Sequence, residues 1–365
     1  GHGDSVSYYE FGVEYAQLFR RMDFSPLTEE AAWRGGNWWG TEFVRLVSGF
    51  VVSIIGPSMK VEYVVFALFG FVGILGFSVA FYRKYQAAAS YQYLAWIFLF
   101  PSLWFWPSSI GKESLILMGL GLAVCAFVGR RDHINWPLLV GALFLVFAVR
   151  PQVAGVLLAA LVLAQWLGFK GRWTASRIAQ SVLLLIVGIA GISHSMSSIG
   201  IEEFDVEGVE SYVTDDPSRR TTGGTSVDKV KLGLRGVPVA IANVLFRPFP
   251  WEATNPMVLL SSLEVLALWL LVLFRHRQLL TALKSWRSDR LVRLAIAFIL
   301  LYSIPLGMML VNVGIIARQR IFLFPFLFLL LEATASRAGE YRRRRFAAGI
   351  PVPDSGAFHH EVTTS

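Results

Sequence analysis

Residues 134–168 read INWPLLVGALFLVFAVRPQVAGVLLAALVLAQWLG, which is two apolar runs separated by the dipeptide Arg150-Pro151. Each run is slightly shorter than the about 20 residues that a helix needs to cross a bilayer. Proline breaks a helix, so the stretch predicts two short membrane helices that meet at Arg150. An arginine between two hydrophobic helices is costly to place in lipid, and we therefore expect an anion to pair with it.

The composition extends this pattern to the whole chain. Of its 365 residues, 55% are hydrophobic and only 16% are charged, whereas soluble domains carry about 25% charged residues. The sequence therefore predicts an all-α, polytopic transmembrane protein. The net charge of +8 does not indicate nucleic-acid binding, because the basic residues lie in short loops between apolar runs. The single cysteine, Cys125, lies within an apolar run, and we interpret it as a core residue.

Nine apolar runs are predicted to cross the membrane. The spans are predicted at 61–82, 91–107, 113–128, 134–149, 152–168, 178–194, 257–274, 291–311 and 321–336. Segment 41–56 is also apolar. Glu42 and Arg45 in its first turns favour a helix at the outer interface over another span.

The predicted orientation follows from the basic residues, which concentrate in every second connecting segment. These segments are 83–84, 130–131, 170–177, 275–293 and 337–345. Cytoplasmic loops are rich in Lys and Arg, so we predict a multi-pass protein of the plasma membrane with a cytoplasmic C-terminus. Because the chain then starts outside, we expect one further span before residue 1.

Five regions follow along the chain. An extracytoplasmic first loop with interfacial helices covers 1–60, and membrane helices cover 61–194. A second extracytoplasmic loop covers 195–256 and contains a re-entrant or interfacial helix at 229–246. Membrane helices follow at 257–336, and 337–365 is a basic cytoplasmic tail.

Five cationic side chains border apolar runs on the extracytoplasmic side, where the positive-inside rule leaves few. They are Lys112, Arg150, Arg247, Arg318 and Arg320. Arginine binds phosphate with a two-pronged fork, and nearby aromatic side chains exclude water. We predict that some of these residues bind an anionic group of a substrate. The alternative is that they snorkel to the interface or face solvent.

Lys112 stands in the sequence Gly111-Lys112-Glu113-Ser114, which resembles half of a nucleotide phosphate-binding loop. The full G-x-x-x-x-G-K-[ST] spacing is missing, and the segment faces away from the cytoplasm, so we exclude an NTPase. The sequence predicts instead a helix beginning near Ser109, whose first N–H groups and Lys112 can hold an anion. The alternative is that Glu113 only neutralises Lys112.

Residues 5–20 carry apolar and aromatic side chains near helical spacing, and they are predicted to form an amphipathic interfacial helix. Asp4 precedes this helix. It is either the N-cap or a general base that takes a proton from an acceptor hydroxyl at the membrane surface. Glu202, Glu203 and Asp205 are the next acidic candidates. They show no metal-ligand spacing, so no metal site is predicted, and a divalent cation stays open as a cofactor.

Asp4, Ser5, the pair Tyr8-Tyr9 and Gly12 resemble the segment after the first membrane helix in the GT-C superfamily of integral membrane glycosyltransferases. The wider layout is similar too, with interfacial helices in an outer first loop and a large later outer loop. The resemblance implies a GT-C-like fold and a sugar donor linked to polyprenyl phosphate. It also implies that Asp4 is the base that activates the acceptor.

Together these features predict a membrane glycosyltransferase. It moves a sugar from a polyprenyl-phosphate donor to a glycan or lipid acceptor on the extracytoplasmic face, in cell-envelope glycan or glycolipid synthesis. Its partners are then membrane lipid, donor and acceptor, and not nucleic acid. A polysaccharide polymerase or ligase of the O-antigen type, acting on polyprenyl pyrophosphate, fits the same arginines. A lipid or solute transporter ranks lower because charges within the spans are few, and a structural assembly subunit comes last.

Overall fold

The computed structural model describes residues 4–27, 39–85, 87–129, 133–167, 236–253, 256–309 and 313–333. Within these ranges every regular element is a helix, which confirms the all-α prediction. Several predicted features lie outside the described residues. They are the span 178–194, most of the outer loop 195–256 with Glu202, Glu203 and Asp205, and the tail 337–365.

The helices of the described chain are numbered in order. They are α1 Asp4–Arg20, α2 Thr41–Ile55, α3 Met59–Tyr85, α4 Ala87–Leu99, α5 Pro101–Phe105, α6 Lys112–Val128, α7 Trp136–Val149, α8 Pro151–Trp166, α9 Val237–Phe246, α10 Pro256–Phe274, α11 His276–Lys284, α12 Arg290–Met309, α13 Val313–Gln319 and α14 Phe324–Ala333. The 3-10 turn Arg320–Phe322 joins α13 to α14.

Some of these helices fit a bilayer by length and composition. In the described chain, α3 and the segment Arg290–Gly307 of α12 are long and apolar enough to cross a membrane. Two bent pairs reach that length only together: Val258–Phe274 with His276–Arg287 at 67°, and Gly314–Phe322 with Phe324–Ala333 at 49°. The helices α7, α8 and α9 are apolar but shorter. Two helices, or four with the bent pairs, therefore fit a membrane, and the count of nine spans stays a prediction.

The predicted span 91–107 is not one continuous helix. Helix α4 ends at Leu99, Phe100 adopts an extended backbone conformation, and α5 begins at Pro101. Proline has no N–H to donate to the preceding turn, and it disfavours the helical conformation of the residue before it. The break was therefore readable from Pro101.

Helices α3 and α6 run side by side in the same direction and form the centre of the core. An added Cβ on Gly73 would collide with the backbone of Leu117, and one on Gly121 would collide with the backbone of Gly73. Small residues of this kind let two helix backbones approach closely. On another side of α3, the ring of Phe77 packs edge-on against Phe326 of α14, with centroids 5.2 Å apart.

The first two helices form a parallel pair. The hydroxyl of Ser48 in α2 donates to the carbonyl of Tyr8 in α1 at 3.0 Å. Toward the far ends of both helices, Arg20 donates to the carbonyl of Val52 at 2.8 Å. The helix predicted over 5–20 is confirmed, and 41–56 is also helical. Because the pair is parallel, α1 and α2 present their N-terminal ends at the same end of the bundle.

The described part of the helix predicted at the end of the second outer loop is α9. It packs on α12, where an added Cβ on Gly307 would collide with the backbone of Ala240. Its re-entrant or interfacial position in a membrane stays a prediction.

Candidate functional site

Four of the residues singled out in the sequence meet around one buried carboxylate. Glu113 accepts a hydrogen bond from Nη2 of Arg150 at 3.2 Å and another from Nη2 of Arg318 at 2.6 Å. Nη1 of Arg318 also donates to Oδ2 of Asp4 at 3.1 Å. Lys112 directly precedes Glu113 in α6. We call Asp4, Lys112, Glu113, Arg150 and Arg318 the Glu113 cluster.

Local breaks in the chain put these side chains together. Pro151 opens α8, so Arg150 is the N-cap residue of that helix. Helix α6 begins at Lys112, three residues later than predicted. Helix α2 begins next to them, after Gly40, whose φ of 70° favours glycine. The N–H of Gly40 donates to the carbonyl of Ala148 at 2.8 Å, and a Cβ there would lie 3.8 Å from Nζ of Lys112. Helices α2, α6 and α8 therefore begin at the cluster, to which α1 adds Asp4 in its first turn.

Hydrogen bonds from neighbouring residues hold Asp4 and Arg318 in place. The hydroxyl of Ser5, next to Asp4, donates to the carbonyl of Ile110 at 2.9 Å, which ties α1 to the turn before α6. The hydroxyl of Tyr302 in α12 donates to the side-chain carbonyl of Gln319 at 3.0 Å. Gln319 directly follows Arg318. The positions of Asp4 and Arg318 are therefore fixed by contacts that do not use their own charges.

The electrostatics of the cluster favour an anion. Three cations face two carboxylates, and the N-termini of α2, α6 and α8 add partial positive charge. Nη1 of Arg150 and Nε of Arg318 are buried, with no hydrogen-bond partner among the described residues. Burial, and then the charge of Arg150, lower the pKa of Lys112 to about 8. A negative group at the cluster would balance the excess positive charge and accept hydrogen bonds from the two buried nitrogens.

Tyr8 borders the cluster beneath Asp4. Its side chain is buried. Burial, and then the negative charge of Asp4, raise the pKa of the Tyr8 hydroxyl, so Tyr8 stays neutral and can only donate or accept hydrogen bonds there. Asp4 is much more exposed than Tyr8 or Glu113. Among these three acidic groups, Asp4 is the one that a substrate from outside can reach.

The other two predicted cations form a separate group. The guanidinium of Arg247 pairs with Glu252 in its own turn, with Nε at 3.1 Å from Oε2. Arg320 is fully buried. It donates to the backbone carbonyl of Arg247 and, at 2.8 Å, to the hydroxyl of Ser261. The structure thus gives both residues internal partners, and their contact with a donor phosphate stays a prediction.

The central residue of the cluster, Glu113, was not singled out as such in the sequence, which offered it only as a partner of Lys112. The structure pairs it with two arginines from distant parts of the chain. One signal was present: an acid at the start of a long apolar run is costly to bury unless a cation neutralises it. Several arginines could supply that charge, and only the tertiary fold selects Arg150 and Arg318.

An apolar cleft of about 530 Å³ lies along α2 and contains none of the charges of the Glu113 cluster. Phe43, Val47 and Phe50 line it along α2, and Phe19 and Phe69 contribute from α1 and α3. Phe43 follows Gly40 by three residues, and Gly40 approaches Lys112. Helix α2 therefore contributes its N-terminus to the cluster and several of its side chains to the cleft.

The described residues bring no three His, Cys, Asp or Glu side chains together as a metal site. Whether the protein uses a divalent cation as a cofactor stays a prediction. Comparison with protein-family models, curated proteins and solved structures finds no match. The geometry of the Glu113 cluster is therefore the basis for assigning a function.

Proposed function

We propose that this protein is a multi-pass membrane glycosyltransferase with a GT-C-like arrangement. It transfers a sugar from a polyprenyl-phosphate donor to a glycan or lipid hydroxyl on the extracytoplasmic face. The main supporting observation is that the exposed carboxylate of Asp4 lies within one hydrogen-bonded cluster with Arg150 and Arg318. A base and an anion site placed side by side are what the transfer of a group away from phosphate requires.

The proposed reaction forms one bond and breaks one bond at the same carbon. The oxygen of the acceptor hydroxyl bonds to the anomeric carbon of the sugar, and the bond from that carbon to the phosphate oxygen breaks. The phosphate leaves with the bonding electron pair, and Lys112, Arg150 and Arg318 stabilise the added negative charge. The acceptor's proton passes to Asp4 and then to water. The products are the glycosylated acceptor and polyprenyl phosphate.

The apolar cleft supports a lipid-linked donor over a soluble one. Aromatic and aliphatic side chains alone line it, and several of them belong to α2, the helix that begins beside Lys112. An isoprenoid chain would enter the cleft from lipid, so close packing against these side chains, and not removal from water, would hold it there. A soluble sugar phosphate would use the cations and leave the cleft empty.

Substitution Asp4→Asn tests the proposed base. Asparagine has nearly the shape of aspartate and, like it, is favoured near a helix N-terminus, so the fold is retained, but the amide cannot accept the proton. We expect transfer to fall by about 10²- to 10⁴-fold in a membrane assay with a radiolabelled polyprenyl-phosphate sugar. Glu10→Gln is the matched control, because Glu10 is exposed on the same helix outside the cluster, and its turnover should be normal.

Two results would change the assignment. Near-normal turnover of Asp4→Asn would leave Asp4 a structural role only and remove it from the chemistry. Turnover with only a pyrophosphate-linked donor would favour the polymerase or ligase. Both measurements use the full chain in membranes, so loss of the lipid environment does not confuse the result.

A further inference from the structure

The proposed base is occupied in this structure. Oδ2 of Asp4 accepts a hydrogen bond from Nη1 of Arg318 at 3.1 Å, so one of the two oxygens that could receive the acceptor's proton faces a guanidinium. The same guanidinium is one of the groups assigned to the donor phosphate. Asp4 and the phosphate therefore compete for one face of Arg318.

The two carboxylates that hold Arg318 are not equally placed. The side chain of Asp4 is 67% exposed, whereas that of Glu113 is 0% exposed. Exposed ion pairs contribute little because water screens them, and buried pairs are costly to break. An incoming anion should therefore displace Asp4 from Nη1 and leave the bond from Nη2 to Glu113 intact.

A phosphate group competes well for that position. Arginine and phosphate form paired, charge-assisted hydrogen bonds. Nε of Arg318 and Nη1 of Arg150 are buried without hydrogen-bond partners among the described residues, so an anion at the cluster gains donors that Asp4 does not use. Within the part of the chain that the structure describes, Asp4 accepts one hydrogen bond there, from Nη1 of Arg318.

We infer that the donor's phosphate displaces Asp4 from Arg318 and thereby frees Asp4 to act as the base only when the donor is in place. This inference rests on the proposed function, because it assigns the order of events within that same site. The step breaks no covalent bond. It exchanges one anionic partner of Arg318 for another, and it makes donor binding precede activation of the acceptor.

Removing the competing carboxylate should strengthen donor binding. The full chain in lipid nanodiscs is titrated with farnesyl phosphate, and farnesol is the uncharged control. Asp4→Asn should bind farnesyl phosphate roughly two- to fivefold more tightly than the parent, the size expected when an exposed ion pair no longer has to be broken. Glu10→Gln removes the same charge from the same helix and should leave the affinity unchanged.

A double-mutant cycle shows whether the effect passes through Arg318. In an Arg318→Ala background, Asp4→Asn should no longer change the affinity. Should that variant fail to fold, Arg318→Gln keeps an amide donor for Glu113 and serves in the same cycle. An unchanged or weaker affinity of Asp4→Asn, or the same tightening without Arg318, overturns the release of Asp4.

The failure of the proposed function has a different signature. If the parent binds farnesyl phosphate no better than farnesol, and Arg150→Ala makes no difference, the cluster is not an anion site and both proposals fall. If binding depends on Arg150 and on the phosphate, but Asp4→Asn does not tighten it, the anion site is supported. Only the displacement of Asp4 from Arg318 is then contradicted.

Discussion

The two ends of α6 and α8 hold their cations in opposite electrostatic settings. At the C-terminal ends, Arg290 and Arg293 donate to backbone carbonyls in the last turns of α6 and α8, at 2.8 and 2.6 Å. The helix dipole favours a positive charge there. At the N-terminal ends, Lys112 and Arg150 lie where the dipole opposes a positive charge. Only the second arrangement needs a negative partner.

Asp289 lies beside Arg290 and Arg293, at the C-terminal ends of α6 and α8. It accepts from the hydroxyl of Tyr85 at 2.8 Å and from the N–H of Leu291 at 2.9 Å, at the start of α12. An acid at a helix N-terminus and arginines at helix C-termini complement the dipoles. We call Tyr85, Asp289, Arg290 and Arg293 the Asp289 network. It is suited to holding helices together, whereas the Glu113 cluster is suited to binding a ligand.

The comparison requires the two ends to lie on opposite sides of the membrane. In a Cys125→Ser background, Lys60→Cys marks the Glu113 end and Ser288→Cys marks the Asp289 end, since both positions are exposed. A membrane-impermeant maleimide should label the cysteine at position 60 in intact cells, and the one at 288 only after permeabilisation. The effect is all or none. Labelling of both from the same side ends the topology on which the proposed function depends.

Arg150 should matter for binding far more than for stability. Arg150→Ala removes a charge-assisted donor, and such a bond contributes about 1.5–3 kcal/mol. The affinity for farnesyl phosphate should therefore fall about 10- to 150-fold. Glu113 keeps Arg318 as its partner, so the protein should stay folded. Arg277→Ala, an exposed arginine at the other end, is the control. Unchanged affinity of Arg150→Ala would argue against the anion site.

Arg293 should matter for stability and not for binding. Its side chain donates to the carbonyls of Ala164, Trp286 and Arg287, and Arg293→Ala leaves these acceptors without a donor. We expect the free energy of unfolding to fall by about 2–3 kcal/mol, seen as a lower thermal midpoint in detergent. The affinity for farnesyl phosphate should not change. A loss of affinity with normal stability would erase the distinction between the two ends.

Much of the fold was predictable because it depends on local pattern. The helical periodicity of 5–20 gives α1, and the apolar run after Pro57 gives α3. Proline at 151 marks the start of α8. The same reasoning applied to Pro101 would have divided the predicted span 91–107. The close approach of α3 and α6 through Gly73 and Gly121 depends on pairing between distant segments, which a single sequence does not reveal.

The individual residues of the site could be predicted from the sequence, but the sequence did not show which of them lie together. Charge rules identify the cations that are predicted to face outward one by one, since each interrupts an apolar pattern. They cannot separate Arg318 from Arg320, which lie two residues apart. In the structure, Arg318 donates to Glu113 and Asp4, whereas Arg320 donates to Ser261 and to a backbone carbonyl. That choice depends on the direction of each side chain on α13 and the turn after it.

The role of Lys112 in the anion site can be tested by the pH dependence of ligand affinity. Burial, and then the charge of Arg150, lower its pKa to about 8, so it is charged at pH 7 and largely neutral above pH 9. A phosphate monoester has a second pKa of about 6, so the ligand's charge is nearly constant above pH 7.5. Between pH 7.5 and 9 the affinity for farnesyl phosphate should therefore fall, by up to roughly fivefold for one lost partner charge. Lys112→Arg keeps the charge and should bind equally well at both pH values, whereas Lys112→Gln should bind more weakly and show no slope. A flat or rising profile in the parent would remove Lys112 from the anion site and leave that role to the two arginines.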